Sequence, residues 1–387
     1  MHIVIVGGGF AGVKTALELQ NKAGFEVTLI SKSADFEYHG ALYRSATGHS
    51  PLEVVVRLGE IFKNAKNVEC VIDEVTMLDA KIKTIKGGSG RQYQYDELVL
   101  AVGNEKNFFG IEGLEHFAHT MYTIHDTMEL RRNLVELFRL PHRRNVRVIV
   151  VGAGPSGVEV AGDLQNFADK VAARYGHAPK HVEVELIDGA ARVLPILSEE
   201  TSAKAQHRLE KLGVTVMLNK KAAKCSQNSI RFEDMERAGD IIIWTAGSKA
   251  VGFYAAHPDL FQLERGKVVV DEFLRAKGQE HIYVVGDNAI TRYSGMAQTA
   301  IHDAMTVAKN FMRQAKNQTP HPYVAKHPIY VVPIGGKWAV ADMGKRVRSG
   351  RFGWAVRRKA DMWIFKNFLP FKQAVKTWRR GEKLAQF

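Results

Sequence analysis

The hydrophobic pattern of the first 31 residues is typical of a β-α-β unit. Residues 2–6 (HIVIV) form a short apolar, β-branched run, the turn GGGFAG follows, and residues 13–20 have helical composition. The run FEVTLIS at 25–31 then has the pattern of a second buried strand. We therefore predict that the chain begins with a strand, a tight turn, a helix and a second strand.

The same pattern recurs near the middle of the chain. The stretch VRVIVVGAGPSG at 146–157 precedes a helix predicted from about Val158 and, after an insertion at about 168–180, the strand-like VEVELID at 182–188. Each unit is followed by an apolar run that ends in glycine, YDELVLAVG or DIIIWTAG. The strand-like HIYVVGD at 281–287 then precedes a helical stretch at about 297–314. This order predicts an α/β fold with two Rossmann-like dinucleotide-binding domains.

The remaining segments complete the predicted organisation. NVECVIDEVTMLD and KIKTIKG, between the two units, are predicted to form antiparallel strands, and PIYVVPIGGKWAVADMG has the pattern of strands or turns. Aromatic residues at helical spacing follow. We assign the first domain to 1–120 and 266–322, the second to 121–265, and a C-terminal amphipathic helical region to 323–387.

Composition narrows the class of protein. A chain of 387 residues is long for a single core, and 45% hydrophobic with 25% charged residues is inconsistent with disorder. The two cysteines, Cys70 and Cys225, are far apart, so we expect no disulfide framework, zinc site or dithiol redox centre, and no metal. The N-terminus lacks the features of a signal peptide. A reducing cytoplasm is therefore expected.

The positive charge is concentrated at one end of the chain. The net charge is +13, and residues 345–387 contain 13 of the 54 Lys and Arg residues but only two of the 41 Asp and Glu residues. The rest of the chain is almost neutral. This distribution indicates an anionic partner for the last segment.

The two glycine turns carry the first chemical signal. Gly7, Gly9 and Gly12 stand as G-x-G-x-x-G between a predicted strand and a predicted helix. The first glycine permits the tight turn, the second lets a pyrophosphate approach the backbone, and the third lets the helix pack on the strand. The helix N-terminus then offers unpaired N–H groups to phosphates. The candidate binding residues of the two turns are Gly7, Gly9, Phe10, Ala11 and Gly12, and Gly152, Gly154, Pro155, Ser156 and Gly157.

A single turn of this kind often serves only close packing, but two copies in two β-α-β units are a stronger indication of dinucleotide binding. Two dinucleotides in one chain indicate an electron path from a nicotinamide to a tightly held flavin. The cofactors expected are therefore FAD and NADH.

The order of these motifs resembles that of the pyridine-nucleotide-dependent flavoprotein reductases over nearly the whole chain. The resemblance implies that Asp287 in HIYVVGDNA reaches the flavin ribityl chain, although an Asp at a strand end is also a common turn residue. It implies that the flavin occupies the first turn and NADH the second. The further FAD residues implied are Ser31, Lys32, Ala101, Val102, Gly103, Gly286, Ala297 and Gln298, and the further NADH residues are Asp188, Ala246 and Gly247.

The residue that ends the second strand of each unit helps to select the nucleotide. Asp188 would accept hydrogen bonds from ribose hydroxyls and repel a 2'-phosphate, which favours NADH over NADPH, although the nearby Arg192 could weaken that preference. Ser31 stands at the matching place in the first unit and departs from the acidic pattern.

Several segments are similar to the type II NADH dehydrogenases, the single-chain, non-pumping NADH:quinone oxidoreductases. They are ALYRSATG, GPSGVEVAGDL, RVLP, IIIWTAG, VADMG and AQTAIH. The resemblance implies that hydride passes from NADH to FAD and two electrons then pass to a membrane quinone. The absence of a cysteine pair fits an acceptor that takes electrons directly from reduced flavin.

The same resemblance implies four catalytic residues. Gln298 and His302 match the two glutamines that border the quinone site, with histidine in place of the second. Because they are four residues apart, both would lie on one helix face. His302 is alternatively a histidine at a domain contact or the sign of a different acceptor. Glu159 matches a carboxylate near the nicotinamide and the flavin, or is a first-turn glutamate stabilised by the helix dipole. Lys337 is placed near the acceptor site.

The basic tail resembles an interfacial amphipathic helix pair. It has no uncharged run near the length of a membrane span, but it combines many Lys and Arg residues with aromatic residues, and Pro370 breaks or starts a helix. The aromatic residues are Phe352, Trp354, Trp363, Phe365, Phe368, Phe371 and Trp378. We expect attachment to an anionic membrane surface on the inner face of the cell membrane, and a homodimer. Alternatively, these aromatic residues cover a core or a dimer interface.

Two other functions remain open from the residues. One is a soluble NAD(P)H-dependent flavoprotein reductase with a protein, oxygen or a small molecule as acceptor. The other is a nucleotide-bound interaction protein whose basic tail binds nucleic acid. We expect the quinone reductase, with no nucleic-acid partner.

Overall fold

The computed structural model describes residues 1–140, 145–178 and 181–381. Two parts of the sequence predictions lie outside these residues. They are the end of the insertion predicted at 168–180 and the last six residues of the predicted C-terminal region.

The elements fall into three successive groups. The first group consists of β1 His2–Val6, α1 Phe10–Leu19, β2 Glu26–Ser31, β3 Asp35–Glu37, α2 Leu42–Ala46, β4 Val55–Arg57, α3 Leu58–Ile61, β5 Val68–Ile72, β6 Val75–Asp79, β7 Thr84–Gly87, β8 Gln92–Gln94, β9 Glu97–Leu100 and β10 Asn104–Lys106. The second consists of α4 Leu114–Phe117, β11 His119–Thr120, α5 Ile124–Phe138, β12 Asn145–Val151, α6 Pro155–Arg174, β13 His181–Ile187, α7 Glu199–Lys211, β14 Thr215–Met217, β15 Ala222–Cys225, β16 Ser229–Phe232, β17 Glu236–Ala238, β18 Ile241–Trp244 and β19 Ser248–Ala250. The third consists of β20 Leu263–Glu264, β21 Lys267–Val268, β22 Ile282–Val284, α8 Ala297–Gln314, β23 Tyr330–Pro333, β24 Ala339–Asp342, β25 Val347–Gly350, α9 Arg351–Phe368 and α10 Phe371–Arg380.

The first sheet is parallel and has the strand order β22-β9-β1-β2-β5. Alternate side chains of its central strand β1 lie in two different hydrophobic cores. Ile3 and Ile5 belong to the core formed with α1, α8 and α9, whereas Val4 and Val6 belong to the core formed with the antiparallel strands β6, β7 and β8. Side chains of consecutive strand residues point to opposite faces, so one short apolar strand serves both layers.

One strand prediction is wrong in its pairing. NVECVIDEVTMLD contains two strands, and the first of them, β5, pairs parallel with β2 at the edge of the main sheet. Only β6 and β7 form the antiparallel pair that was predicted there. The apolar pattern indicates a strand but does not choose its partner, because pairing depends on residues distant in sequence.

The second sheet repeats this arrangement. It is parallel with the order β11-β18-β12-β13-β14. On one face, Val148 and Val150 pack with α5, α6 and α7, and on the other, Ile149 and Val151 pack against β15 and β16. Strand β10 of the first group and strand β19 of the second pair with each other as antiparallel strands. The fold is therefore α/β with two Rossmann-like units, as predicted.

The C-terminal segment packs against the first domain. After the sheet β23-β24-β25, helix α9 contributes Ile364, Phe365 and Phe368 to the core that contains α1 and β1. Pro370 is the residue that precedes α10. Neither α9 nor any other helix in the described part of the chain has the length and apolar character that a bilayer span requires.

Phe368 makes a specific aromatic contact in this core. Its ring stacks on that of Phe36 at a centroid distance of 4.6 Å and meets Phe10 edge to face at 5.6 Å. Its side chain is 3% exposed. We predict that Phe368→Ala lowers the free energy of unfolding by about 3–5 kcal/mol, because it leaves a cavity in a packed core. Urea denaturation followed by circular dichroism measures this change.

The matched control is Phe371→Ala, because the Phe371 side chain is 64% exposed. We expect it to alter the free energy of unfolding by no more than about 0.5 kcal/mol. Equal losses in the two variants would contradict the docking of α9 on the first domain.

Candidate functional site

The first glycine turn is built by close approach of backbone atoms. Gly7 follows β1 with φ of 121°, and a Cβ atom there would lie 2.1 Å from the Ala101 carbonyl oxygen. A Cβ atom on Gly12 would lie 1.9 Å from the Gly7 carbonyl oxygen. Both positions therefore require glycine so that α1 can pack on β1 and β9.

The second glycine of this turn has a different environment. Gly9 precedes the first residue of α1 with an extended backbone, and an added Cβ atom would meet nothing within 4 Å. No side chain caps this helix N-terminus. The N-terminus of α1 is therefore free of a side-chain cap and lies beside open space, an arrangement that suits a pyrophosphate.

The other residues assigned to the first turn lie in several environments. Phe10 and Ala11 are buried on α1, with the ring of Phe10 in the core beside Phe36. The Ser31 hydroxyl lies against Gly8, where a Cβ atom would be 2.3 Å from it. Lys32 is exposed and pairs with Glu74 at 2.6 Å.

The second glycine turn has the same geometry. A Cβ atom on Gly157 would lie 1.8 Å from the Gly152 carbonyl oxygen, whereas one on Gly154 would meet nothing within 4 Å. Gly152 has φ of 114°. The Thr245 hydroxyl donates to the carbonyls of Val151 and Gly152 at 3.0 and 2.9 Å, and so holds the turn at 245–247 against Gly152. We call the two glycine turns, each with the helix N-terminus that follows it, the first and the second cradle.

The remaining residues assigned to the second turn surround this cradle. Pro155 and Ser156 are the first two residues of α6 and are exposed. Asp188 follows β13, and its carboxylate accepts hydrogen bonds from the backbone N–H groups of Ala153 and Ala190. Ala246 is half-buried and Gly247 is exposed, with the ring of Phe109 packed against Gly247.

Gly286 and Asp287, which we call the GD element, lie between the first cradle and α8. Gly286, with φ of 77°, lies against Ala11 of α1 and Ala300 of α8. The Asn104 side chain donates to Asp287 at 3.0 Å, and burial raises the pKa of the Asp287 carboxyl, a shift that the charge of Lys267 opposes. The Asn288 amide donates to the Gly103 carbonyl in the turn formed by Ala101, Val102 and Gly103. Ala297 begins α8.

These residues fit two bound dinucleotides. Each cradle has a glycine whose missing side chain leaves open space in front of a helix N-terminus, and each is closed behind by backbone contacts that no side chain could enter. The first cradle is joined to the GD element by the contact between Ala11 and Gly286.

A buried ion pair connects the two domains. Glu159 is the fifth residue of α6 and lies beyond its first turn, so it is not the first-turn glutamate that the sequence left open. Arg357 of α9 donates to its carboxylate at 3.1 Å. Arg357 also donates to Asp361 at 2.9 Å. Burial raises the pKa of Glu159 to about 7 and Arg357 opposes that shift. The raised direction holds because the guanidinium charge is shared with Asp361.

Comparison with known proteins identifies the family. Residues 1–304 match the family model described as pyridine nucleotide-disulphide oxidoreductase. The chain is 32% identical to the type II NADH:quinone oxidoreductase NdhA of Mycobacterium tuberculosis, over 91% of this chain and 81% of the relative. The chain belongs to the type II NADH:quinone oxidoreductases.

Other comparisons agree with this assignment. The type II NADH:quinone oxidoreductase Ndh of M. tuberculosis is 30% identical over 92% of this chain and 82% of the relative. The structure of NDH2 from Plasmodium falciparum in complex with NADH superposes with a TM-score of 0.88 at 19% identity, covering 99% of this chain and 97% of that chain. The sulfide:quinone oxidoreductase of Aquifex aeolicus shares the fold with a TM-score of 0.81 at 20% identity, over 97% and 94% of the two chains.

The structure places Gln298 and His302 of this family member on one face of α8. The Gln298 side chain donates to the Ile329 carbonyl at 2.8 Å and accepts from the Ile329 N–H at 3.2 Å. A ring nitrogen of His302 lies 2.9 Å from the Val324 carbonyl, and burial lowers the pKa of this histidine. Both side chains therefore contact segment 319–329, which has no regular secondary structure.

Lys337 lies in a separate place. It is exposed at the tip of the β23–β24 hairpin. This tip packs on the second domain, where Arg208 of α7 donates to the carbonyls of Ile334 and Gly335. The basic residue that contacts Glu159 is Arg357, which was not among the predicted site residues. Sequence reasoning did not single out Arg357, because in the sequence it is one of many basic residues in the tail.

The open space at Gly9 gives a direct test of the first cradle. We predict that Gly9→Val leaves the fold intact, because the backbone there is extended and free of neighbours, but abolishes FAD binding by filling the cradle. The ratio of flavin to protein absorbance in the purified variant measures the loss, and circular dichroism measures the fold.

The control is Gly59→Val in α3, where an added Cβ atom also meets nothing within 4 Å. This variant should keep its flavin. A Gly9→Val protein with a full complement of FAD would show that the first turn is not the flavin cradle.

Proposed function

We propose that this chain is an FAD-dependent, non-proton-pumping NADH:quinone oxidoreductase that binds FAD in the cradle of Gly7, Gly9 and Gly12 and NADH in the cradle of Gly152, Gly154 and Gly157. The observation that carries the proposal is the pair of open cradles in a member of the type II family. The chain also has only two cysteines, on β5 and β15 in different domains, so electrons would pass without a dithiol.

Each cofactor would be held by the chain in a defined way. The N-terminus of α1 would bind the FAD pyrophosphate and Asp287 would accept hydrogen bonds from the flavin side chain. The N-terminus of α6 would bind the NADH pyrophosphate, and Asp188 would exchange its backbone partners for ribose hydroxyls. When bound, FAD supplies the chemistry that links a hydride donor to a quinone.

Glu159 would deliver the proton that the reaction consumes. Oxidation of NADH by a quinone consumes one proton beyond the transferred hydride. Glu159 is 6% exposed, its pKa is about 7, and it lies beside the cradle proposed for NADH. A carboxyl group with a pKa near the working pH can take up and release a proton efficiently. We assign to Glu159 the delivery of that proton, and to Arg357 its positioning.

The quinone would bind beside α8. Gln298 and His302 lie there at the surface that the segment 319–329 partly covers. Their hydrogen bonds to Ile329 and Val324 involve backbone atoms of that segment, so a shift of the segment would expose both polar groups to a quinone head group. Lys337, which is exposed on the hairpin tip, is a weaker candidate for this site than Gln298 and His302.

The C-terminal helices would form a foot on an anionic membrane. Exposed residues share one face of α9, namely Phe352, Ala355, Lys359, Trp363 and Lys366, and Arg351 is exposed at its first position. Phe371 and Lys372 continue this surface onto α10, and the Lys366 ammonium lies over the Phe371 ring. Aromatic and basic residues together favour the interface of an anionic leaflet, with about 1 kcal/mol for each basic residue near the surface.

The decisive test of the function is spectroscopic. We predict that the purified protein is yellow, that NADH bleaches its flavin absorbance under anaerobic conditions, and that a soluble quinone restores it. Gly154→Val should stay yellow but resist bleaching, because only the second cradle is filled. A colourless protein, or bleaching that quinone does not reverse, would contradict the proposal.

The role of Glu159 predicts a pH dependence. A group with a pKa of about 7 is protonated below pH 7 and loses its proton as the pH rises through that value. The quinone-driven recovery of flavin absorbance should therefore slow above pH 7 in the wild type. In Glu159→Gln it should be about 10²-fold slower at pH 6 and should no longer change through pH 7.

Stopped-flow absorbance at a series of pH values measures these rates. Glu210→Gln, an exposed change on α7, is the control and should follow the wild type. An unchanged pH profile in Glu159→Gln would remove Glu159 from the proton path.

Membrane attachment predicts a salt-sensitive association. We expect the wild type to float with vesicles containing phosphatidylglycerol at low ionic strength, and less so at high ionic strength, because salt screens the basic residues. The double variant Trp363→Ser, Phe371→Ser should remain in the soluble fraction. Phe117→Ser, which changes an exposed aromatic residue on α4, should float like the wild type.

Failure of the wild type to float at low salt would contradict membrane attachment through the C-terminal helices. The proposed homodimer is a separate question, which sedimentation velocity of the same preparation answers.

A further inference from the structure

A buried carboxyl group lies directly behind the GD element and is not used by the reaction as proposed above. Asp303, on α8, is 0% exposed, and its Oδ2 atom accepts a hydrogen bond from the Gly286 N–H at 3.0 Å. Gly286 is the residue before Asp287, the group proposed to bind the flavin side chain. Asp303 thus contacts the backbone of the turn that would hold the flavin.

The second oxygen of the Asp303 carboxyl group lacks a well-formed hydrogen bond. Oδ1 is buried and has no hydrogen bond of ordinary geometry within the described residues. The Tyr323 hydroxyl is close enough to lower the pKa of Asp303, but burial dominates and raises that pKa to about 6. A buried charge that is only partly compensated destabilises the folded protein. Packing alone therefore does not explain why a carboxyl group stands at this position.

The charged and titratable groups around Asp303 do not neutralise it. Asp287 on the GD element raises its pKa further, and Lys267 acts on Asp287. On α1, which packs against α8, Lys14 is paired with Glu18 at 2.7 Å. On α8 and the segment 319–329, the His302 ring lies against the Tyr323 ring. No ion pair within the described ranges includes Asp303.

We propose that Asp303 is a positioning residue that holds the Gly286–Asp287 turn and, through its charge, sets the reduction potential of the flavin bound at that turn. The inference rests on the proposed function, because it requires FAD in the first cradle. A negative charge near a redox group opposes the addition of electrons, and in a low-dielectric interior this effect is large even when the charge is partly compensated. Ionised Asp303 would therefore lower the potential, and protonated Asp303 would not.

The test compares Asp303→Asn with the wild type as holoenzymes. The amide oxygen of asparagine can still accept the Gly286 N–H, so the turn is kept while the charge is removed. The midpoint potential of the bound flavin is measured by spectroelectrochemistry between pH 5 and pH 8. Asp259→Asn removes the same charge from an exposed position and is the matched control.

The sign of the expected difference follows from the raised pKa of about 6. Above pH 6 the wild-type carboxyl is ionised, so the potential of Asp303→Asn should be shifted upward from that of the wild type. Toward pH 5 the wild-type group becomes neutral and the two curves should converge. Asp259→Asn should follow the wild type throughout. Coincident curves for Asp303→Asn and the wild type would overturn the proposal.

A second measurement does not depend on the stability of Asp303→Asn. The visible absorbance of the oxidised wild-type holoenzyme should change with pH around 6, as the nearby charge appears. Tyr323→Phe should move that transition to higher pH, because the hydroxyl that favours the ionised carboxylate is lost. A wild type with no spectral transition, or a Tyr323→Phe transition at an unchanged pH, would also overturn the proposal.

These outcomes are separate from the failure of the proposed function. If the protein binds no FAD, or if NADH does not bleach it, the function itself is wrong. If the flavin binds and is bleached but the potentials coincide, only the role of Asp303 is wrong.

Discussion

One guanidinium group joins the parts of the chain that make up the candidate site. Arg357 of α9 donates to Glu159 of the second domain, to the Gly40 carbonyl of the first domain, to the Val331 carbonyl of the C-terminal sheet and to Asp361 on its own helix. A charge removed from water is tolerated only when it is paired and hydrogen-bonded. The environment of Glu159 therefore exists only while α9 is docked between the two domains.

A second buried cluster reinforces this docking. Arg44 and Arg358 both contact Glu53 and Asp361, and the Gly381 carbonyl accepts a hydrogen bond from Arg44. Removal of one member of such a cluster leaves an uncompensated charge, at a cost of about 3–5 kcal/mol. The basic C-terminal segment is thus divided in two. Its arginines at 357 and 358 fix the helix in the protein, whereas Lys359, Lys366 and Lys372 remain exposed.

The sequence alone determined the features whose causes are local. The strand–glycine turn–helix units could be predicted because the turn needs particular backbone conformations and close contacts within a few residues, and only glycine satisfies them at Gly7, Gly12, Gly152 and Gly157. The two-domain α/β fold followed from repetition of that unit. The family followed from motifs of the same kind spread along the chain, because each is a short segment with a fixed chemical task.

Only the tertiary structure decided which distant residues share a site. The pairing of Glu159 with Arg357 joins positions 198 residues apart, and composition presents Arg357 as one basic residue among many. The tail's helical spacing correctly predicted helices but could not show that Phe365 and Phe368 would be buried while Trp363 remained exposed. Asp303 is similar, because the sequence does not reveal that a charged side chain will be enclosed. Burial and charge pairing depend on the packed chain as a whole, so no local pattern records them.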